Sequence, residues 1–264
     1  MRLFWEIVQR GIQRQIAYRA VMLAGLGTNF FFGILRAAIL MGLYGDRTIM
    51  AGLSRSDALT YIAFTQAVIA YLSLFGWYEV ANQVYNGEIS ADLLKPLSYQ
   101  FFWFGRDFGQ ALVNFVVRGI VIFIGFALFY PMSYPQTALR WLLVVLALLL
   151  AWLVSFGWRF LINLSAFWLG DARGLLRVVF AASWFLSGFW QPLRFYPAAL
   201  RQAAYTFTPF PYLLDAVFEV FSGVLTVPQT LQILLQQAAW SMGLLLLGQF
   251  IMRRGVRKLV IVGG

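Results

Sequence analysis

"NGEISADLLKP", residues 86–96, is a polar, closely punctuated run set between two strongly apolar stretches. How it reads decides what kind of fold surrounds it. Asn86-Gly87 is a strong turn signal. Ser90 is expected as the N-cap of a short helix, with Ile89 before it and Leu94 in its first turn closing a hydrophobic staple. Asp92 near the N-terminal end and Lys95 near the C-terminal end suit the helix dipole. Pro96 stops the helix. A helix of one or two turns is unstable alone. It needs a surface to dock on, either its own bundle or a partner protein. The loop that carries it runs from Glu79 to Asp107, longer than an ordinary helix connection.

Outward from this run the chain is greasy. Of its 264 residues, 61% are hydrophobic and 11% charged, whereas soluble domains carry about 25% charged residues. The composition implies an all-α, polytopic membrane protein, with residues 1–264 forming a single transmembrane domain. A span needs about 20 mostly apolar residues. Six stretches are expected to cross: 21–44, 58–78, 108–130, 139–168, 175–190 with its continuation, and 229–252. Residues 188–227 contain Pro192, Pro197, Pro209 and Pro211, which cut them into pieces too short to span. Such broken backbone is tolerated at membrane depth only where protein or water shields it. The segment is therefore expected to be re-entrant or interfacial, on the extracytoplasmic side.

In residues 1–19, Phe4, Val8, Ile12 and Ile16 recur every four positions, and Arg2, Glu6, Arg10 and Arg14 recur on the opposite side. That is the pattern of an amphipathic helix lying in the membrane interface. The 20 Lys and Arg residues set the orientation. With the N-terminus in the cytoplasm, the basic residues outside the spans fall mainly on the inner side: Arg2, Arg10, Arg14, Arg19, Lys95, Arg106, Arg173, Arg177, Arg253, Arg254, Arg257 and Lys258. Only Arg47, Arg55, Arg140, Arg194 and Arg201 fall outside. Both termini, and the loop bearing residues 86–96, are then cytoplasmic. The net charge of +10 belongs to this pattern rather than to nucleic-acid binding.

The chain has no Cys and no His, which excludes disulfides, thiolate nucleophiles and the usual zinc sites. Arg36, Arg118 and Arg159 lie inside expected spans. Arg118 is the deepest, and either an anionic group of a cargo or a carbonyl or carboxylate of the bundle suits it. Arg36 and Arg159, nearer span ends, are expected to snorkel. Asp215 and Glu219 are four apart and share a helix face. They read as an extracytoplasmic gate with a wet acidic face, or as a plain interfacial helix.

The order of these features resembles the permease subunits of type-2 ATP-binding-cassette (ABC) exporters, the ABC-2 family. The resemblance covers nearly the whole chain. It rests on the amphipathic first helix, the six spans, and "NGEISADLLKPLS", similar to the family's Gly-x-(Ile/Leu)-(Asp/Ser)-x-x-Leu-x-(Lys/Arg)-Pro run. It rests also on the late elements around Ser187, Gly188, Pro192, Pro197, Pro209, Pro211, Tyr212 and Gly223. The resemblance implies that residues 79–97 hold a coupling helix that fits a groove on a nucleotide-binding ATPase subunit. Glu79, Glu88, Asp92 and Lys95 would be its charged contacts and Ile89, Leu93 and Leu94 its apolar anchors.

No G-x-x-x-x-G-K-[ST] run occurs, so this chain is expected to carry no cofactor and no catalytic residue. ATP and Mg would sit in the partner. The resemblance further implies a second permease chain, identical or related, contact with membrane lipids, a bacterial-type cytoplasmic (inner) membrane, and an amphiphilic or glycan-type cargo. A secondary transporter would show midplane acids and an inverted repeat, and neither is visible. A non-transporting scaffold, with the short polar helix binding some other protein, stays open.

Overall fold

The computed structural model describes residues 2–258. Its first element, α1 (Arg2–Ala17), is followed across Tyr18 by α2 (Arg19–Tyr44). A small antiparallel hairpin, β1 (Ile49–Met50) and β2 (Leu53–Ser54), leads into α3 (Arg55–Val68). Ser54 starts α3 with a capping box: its hydroxyl accepts from Asp57 N–H while the Asp57 side chain accepts from Ser54 N–H. Two short helices follow, α4 (Glu79–Tyr85) and α5 (Ile89–Leu93). Next comes α6 (Tyr99–Asn114), which runs through a π-helical turn, Phe115–Ile120, straight into α7 (Val121–Phe129). Thr137 caps α8 (Ala138–Asn163), which ends in the single turn α9 (Ala166–Leu169). After α10 (Arg173–Leu186) come α11 (Ala198–Phe207) and α12 (Asp215–Ser222). Thr226 and Gln229 form a second capping box at the start of α13 (Val227–Val256).

Among the described residues, 4 helices are long and apolar enough to cross a membrane: Arg19–Tyr44, Tyr99–Phe129, Ala138–Leu169 and Val227–Val256. Their outer faces expose Phe31, Leu128, Phe129, Leu235 and Leu246, as lipid requires and water would penalise. The expected spans at 58–78 and 175–190 are built differently. Helices α3 and α10 have 14 residues each, about 21 Å at 1.5 Å per residue. α3 starts at one end of the bundle and α10 at the other. One end gathers the hairpin, Ser133 bonded to Asp57, and Arg140 bonded to the Leu225 carbonyl. The opposite end gathers α4 against α8, and Arg173 over the Tyr85 ring.

Beyond Val68, α3 gives way to hydrogen-bonded turns, with Ser73 at φ 50° and Gly76 at φ 137°. Three freed carbonyls, and that of Ala70, which also accepts from Ser73 N–H, find donors on three neighbouring helices. Asn114 Nδ2 donates to Ala70 O, Ser155 Oγ to Leu72 O, Trp184 Nε1 to Leu74 O, and Asn163 Nδ2 to Trp77 O. Without those donors the carbonyls of Leu72, Leu74 and Trp77 would each cost several kcal/mol in an apolar medium.

The amphipathic helix α1 packs on α6 through small residues. A Cβ on Gly109 would lie 2.3 Å from the Val8 carbonyl oxygen, and one on Gly11 would lie 2.6 Å from that of Arg106. Gly105 and Gly109 form a G-x-x-x-G face that lets the two backbones touch. The apolar face of α1 is thus covered in part by protein, with Phe4 against Phe101, Phe104 and Phe108.

Residues 188–226 fold into a helical hairpin. The turn between α11 and α12 reaches inward to Gln237 of α13, whose Nε2 donates to Tyr212 O at 2.9 Å and to Ala147 O at 3.2 Å. From there α12 climbs back toward the start of α8, where Phe221 meets Trp141. Gly188, at φ 84°, allows the turn into this segment, and a Cβ there would lie 2.5 Å from the Tyr61 hydroxyl.

Candidate functional sites

The polar run that opens the sequence forms α5, but not with the cap expected. The helix starts at Ile89, so Ser90 lies inside it, and the Ser90 hydroxyl donates to the Gly87 carbonyl instead of accepting from a backbone N–H. The staple does not form either. Ile89 is fully buried while Leu94 is 87% exposed. Ile89 anchors α5 to its own bundle, and Leu93 is half-buried against the same core. The outward set is Glu88, Leu94, Lys95 and Pro96, with Asp92 pairing with Lys95.

Glu79 faces inward. Its Oε2 accepts from Arg14 Nη1 at 2.9 Å and from Arg106 Nη2 at 2.7 Å, which ties α4 to both α1 and α6. Burial pushes its carboxyl above the ordinary value, against the pull of Arg14. Among the seven residues read as partner contacts, Glu79 and Ile89 therefore hold the loop in place, and Leu94 and Glu88 project from it.

Arg159 does not snorkel. It is completely buried in α8 and makes a bidentate pair with Asp107 of α6, both contacts at 2.9 Å. Trp152 Nε1 adds a third donor to Asp107, and Arg159 Nε donates to Ser155 Oγ. Ser155 and Asn163, a turn to either side of Arg159, cap the freed carbonyls of Leu72 and Trp77, and Asn163 Oδ1 also accepts from Ala81 N–H of α4. One polar network thus joins α6, α8, the unwound stretch after α3, and the foot of the polar loop. Sequence reasoning placed Asp107 at the loop edge and missed the pair. The available signal was an acid in one apolar helix and an arginine in the next apolar helix.

Arg118 sits in the π-helical turn between α6 and α7. Its guanidinium lies over Gly25 of α2, where a Cβ would be 2.7 Å from Nη2, and its Nε has no partner. Gly119, next to it, brings the turn against the Ala67 carbonyl of α3. Arg36 of α2 reaches across to α3 and to the segment after α10. Nη1 donates to Thr65 Oγ1 at 3.2 Å, and Nη2 donates to the carbonyls of Phe189 and Trp190. It does not snorkel.

Asp215 and Glu219 are buried, 1% and 5% exposed, so α12 shows no wet acidic face. Asp215 accepts from Leu193 N–H at 2.9 Å and from the Tyr205 hydroxyl at 2.8 Å. Glu219 makes a bidentate pair with Arg194 and lies 3.8 Å from Arg201. The two acids clasp the hairpin of residues 188–226 internally. Asp215 lies outside the four long helices, and burial together with nearby Glu219 pushes its carboxyl up to about 6.

A cavity of about 530 Å³ opens between α2, α3 and residues 189–192, with Arg36 and Gln66 in its wall. Its remaining lining is mainly aliphatic and aromatic.

A family model described as ABC-2 family transporter protein matches residues 31–263. Comparison with curated proteins gave no significant match, and neither did comparison with solved structures.

Proposed function

The chain belongs to the ABC-2 transporter family, a membrane component of transporters, and from that premise we propose that it is the permease subunit of an ABC exporter. In this reading a separate nucleotide-binding subunit binds ATP and Mg and docks on the loop 79–97. Helices α3 and α10, with the turns that extend them, cross the membrane as spans two and five. The hairpin 188–226 is re-entrant from the extracytoplasmic side, and both termini are cytoplasmic. A second permease chain completes the translocation path for an amphiphilic or glycan-type cargo.

The observation that carries this reading is the shape of the polar loop. Leu94 is 87% exposed at the tip of α5, while Ile89, Glu79 and Asn163 hold the base of the loop rigidly to the bundle. A large apolar side chain presented on a fixed base suits a partner groove, and the same base leads into the Asp107–Arg159 network. Force applied at α5 would then reach the middle of the bundle through contiguous packed and hydrogen-bonded groups.

The test is co-purification under mild detergent. The wild-type chain is expected to bring a P-loop ATPase of independent sequence with it. Leu94→Asp is expected to lose that ATPase while membrane insertion and melting temperature stay unchanged. An ATPase that remains bound to Leu94→Asp would remove α5 from the interface. No ATPase with the wild type would remove the permease assignment.

A further inference from the structure

We propose that the cavity between α2, α3 and residues 189–192 binds an amphiphile through an anionic head group, held by Arg36 and Gln66. Two buried polar groups at the cavity wall have unmet hydrogen-bonding capacity. Gln66 is 1% exposed, lines the cavity, and its amide Nε2 has no partner. Arg36 Nε is likewise buried and without a partner. Both atoms lie just behind the cavity wall and are donors, so a group that meets them after a side-chain rotation is an acceptor.

Charge narrows it further. Among the described residues no carboxylate pairs with Arg36, in contrast to Arg159, Arg106 and Arg194. Its contacts are carbonyls, the Thr65 hydroxyl, and the Phe189 ring at 4.7 Å. These orient a guanidinium without neutralising it, and an unneutralised cation in an apolar surround favours an anion strongly. Guanidinium and amide donors together match a phosphate or carboxylate head.

The rest of the cavity defines the other half of the ligand. Away from Arg36 it is walled by Phe32, Ile39, Leu43, Phe75 and Trp190, and all five are exposed on the outer surface of the helices. A group seated at Arg36 therefore leaves sideways along an apolar wall, which fits an acyl or prenyl chain. The volume of about 530 Å³ accommodates a head group and part of one chain. Ligand pockets commonly occupy about 300–1,000 Å³.

As a cargo site this inference rests on the permease reading, but binding itself does not, because it needs no ATPase. The experiment uses the purified full chain in detergent and phosphatidic acid carrying a photoreactive diazirine in one acyl chain. Labelling is expected at Trp184, Phe189 and Trp190. Arg36→Gln is expected to lower it about tenfold and Gln66→Leu about threefold, as loss of one charged and one neutral donor implies. Gln66→Leu removes only an idle side-chain amide, so it separates binding from folding should Arg36→Gln misfold.

Dodecyl phosphate should compete. Displacement by inorganic phosphate alone would assign the site to a free anion and overturn the amphiphile. Equal labelling by diacylglycerol with the same photoreactive chain would show that no head group is read. Unchanged labelling in both variants, or a cavity sealed to the probe by a second permease chain, would also overturn the proposal.

Discussion

Arg159 and Arg36 are both arginines of apolar helices, and the protein treats them in opposite ways. Every guanidinium nitrogen of Arg159 has a partner, two of them Asp107 and one Ser155, with the Trp77 ring beneath at 5.3 Å. Among the described residues Arg36 has no acidic partner, and it has an idle Nε and an open cavity beside it. Helix membership, residue type and burial in apolar sequence are shared. What differs is whether a second chain segment delivers a carboxylate. A buried cation that is paired and fully hydrogen-bonded is a structural joint. One that is only oriented is available to a ligand. An arginine inside a span is therefore not assigned by its depth but by its partners.

The largest loss of stability is expected at Arg159. Arg159→Met leaves Asp107 buried with a charge and no counterion, expected to cost about 3–5 kcal/mol. The measurement is thermal unfolding in detergent. The double variant Asp107→Leu/Arg159→Met should regain most of that loss, since a buried pair replaced together by apolar groups is often close to neutral. A single variant that melts like the wild type would show that the joint carries no weight.

Asp215 gives the next effect, and it depends on pH. Its folded value of about 6 stands above the ordinary 3.8, so the folded state favours the protonated acid. That stabilisation is complete below about 3.8 and is lost as pH rises through about 6, a change of about 3 kcal/mol across the window. Melting compared at either end of the window should show it, and Asp215→Asn should flatten the difference. A pH profile unaltered by Asp215→Asn would mean that another group titrates.

The smallest change in stability is expected at Arg36. Arg36→Gln loses donors to Thr65, Phe189 and Trp190 but strands no charge, and should cost about 1–2 kcal/mol. A loss as large as that of Arg159→Met would make the two arginines equivalent and erase the contrast between joint and ligand site.

Much of this was legible without coordinates. Hydropathy located α2, α8, α13 and the later part of the continuous helix of α6 and α7, whose start at Tyr99 falls within the expected loop 79–107, because a run of apolar residues long enough to span has few other solutions. The four-residue recurrence located α1, and the prolines located the broken segment 188–226. Family membership was legible too, through the order of the late Pro-rich elements and the "NGEISADLLKP" run. Local signals failed where tertiary contact overrode them. Ser90 has the right chemistry for a cap, but burial of Ile89 pulls the helix start back by two residues. Nothing in residues 58–78 announced that the helix would stop near Val68. The stop is sustained by Asn114, Ser155, Asn163 and Trp184, which lie 44 to 110 residues from the carbonyls they satisfy.

Composition and periodicity within single segments were enough for the medium, the long helices and the polar loop. Only tertiary structure decided which charges are spent and which are free. Asp107 reaches Arg159 over 52 positions and Glu219 reaches Arg194 over 25, whereas among the described residues no acid reaches Arg36. Pairing depends on how helices face one another, and a one-dimensional pattern does not record that facing.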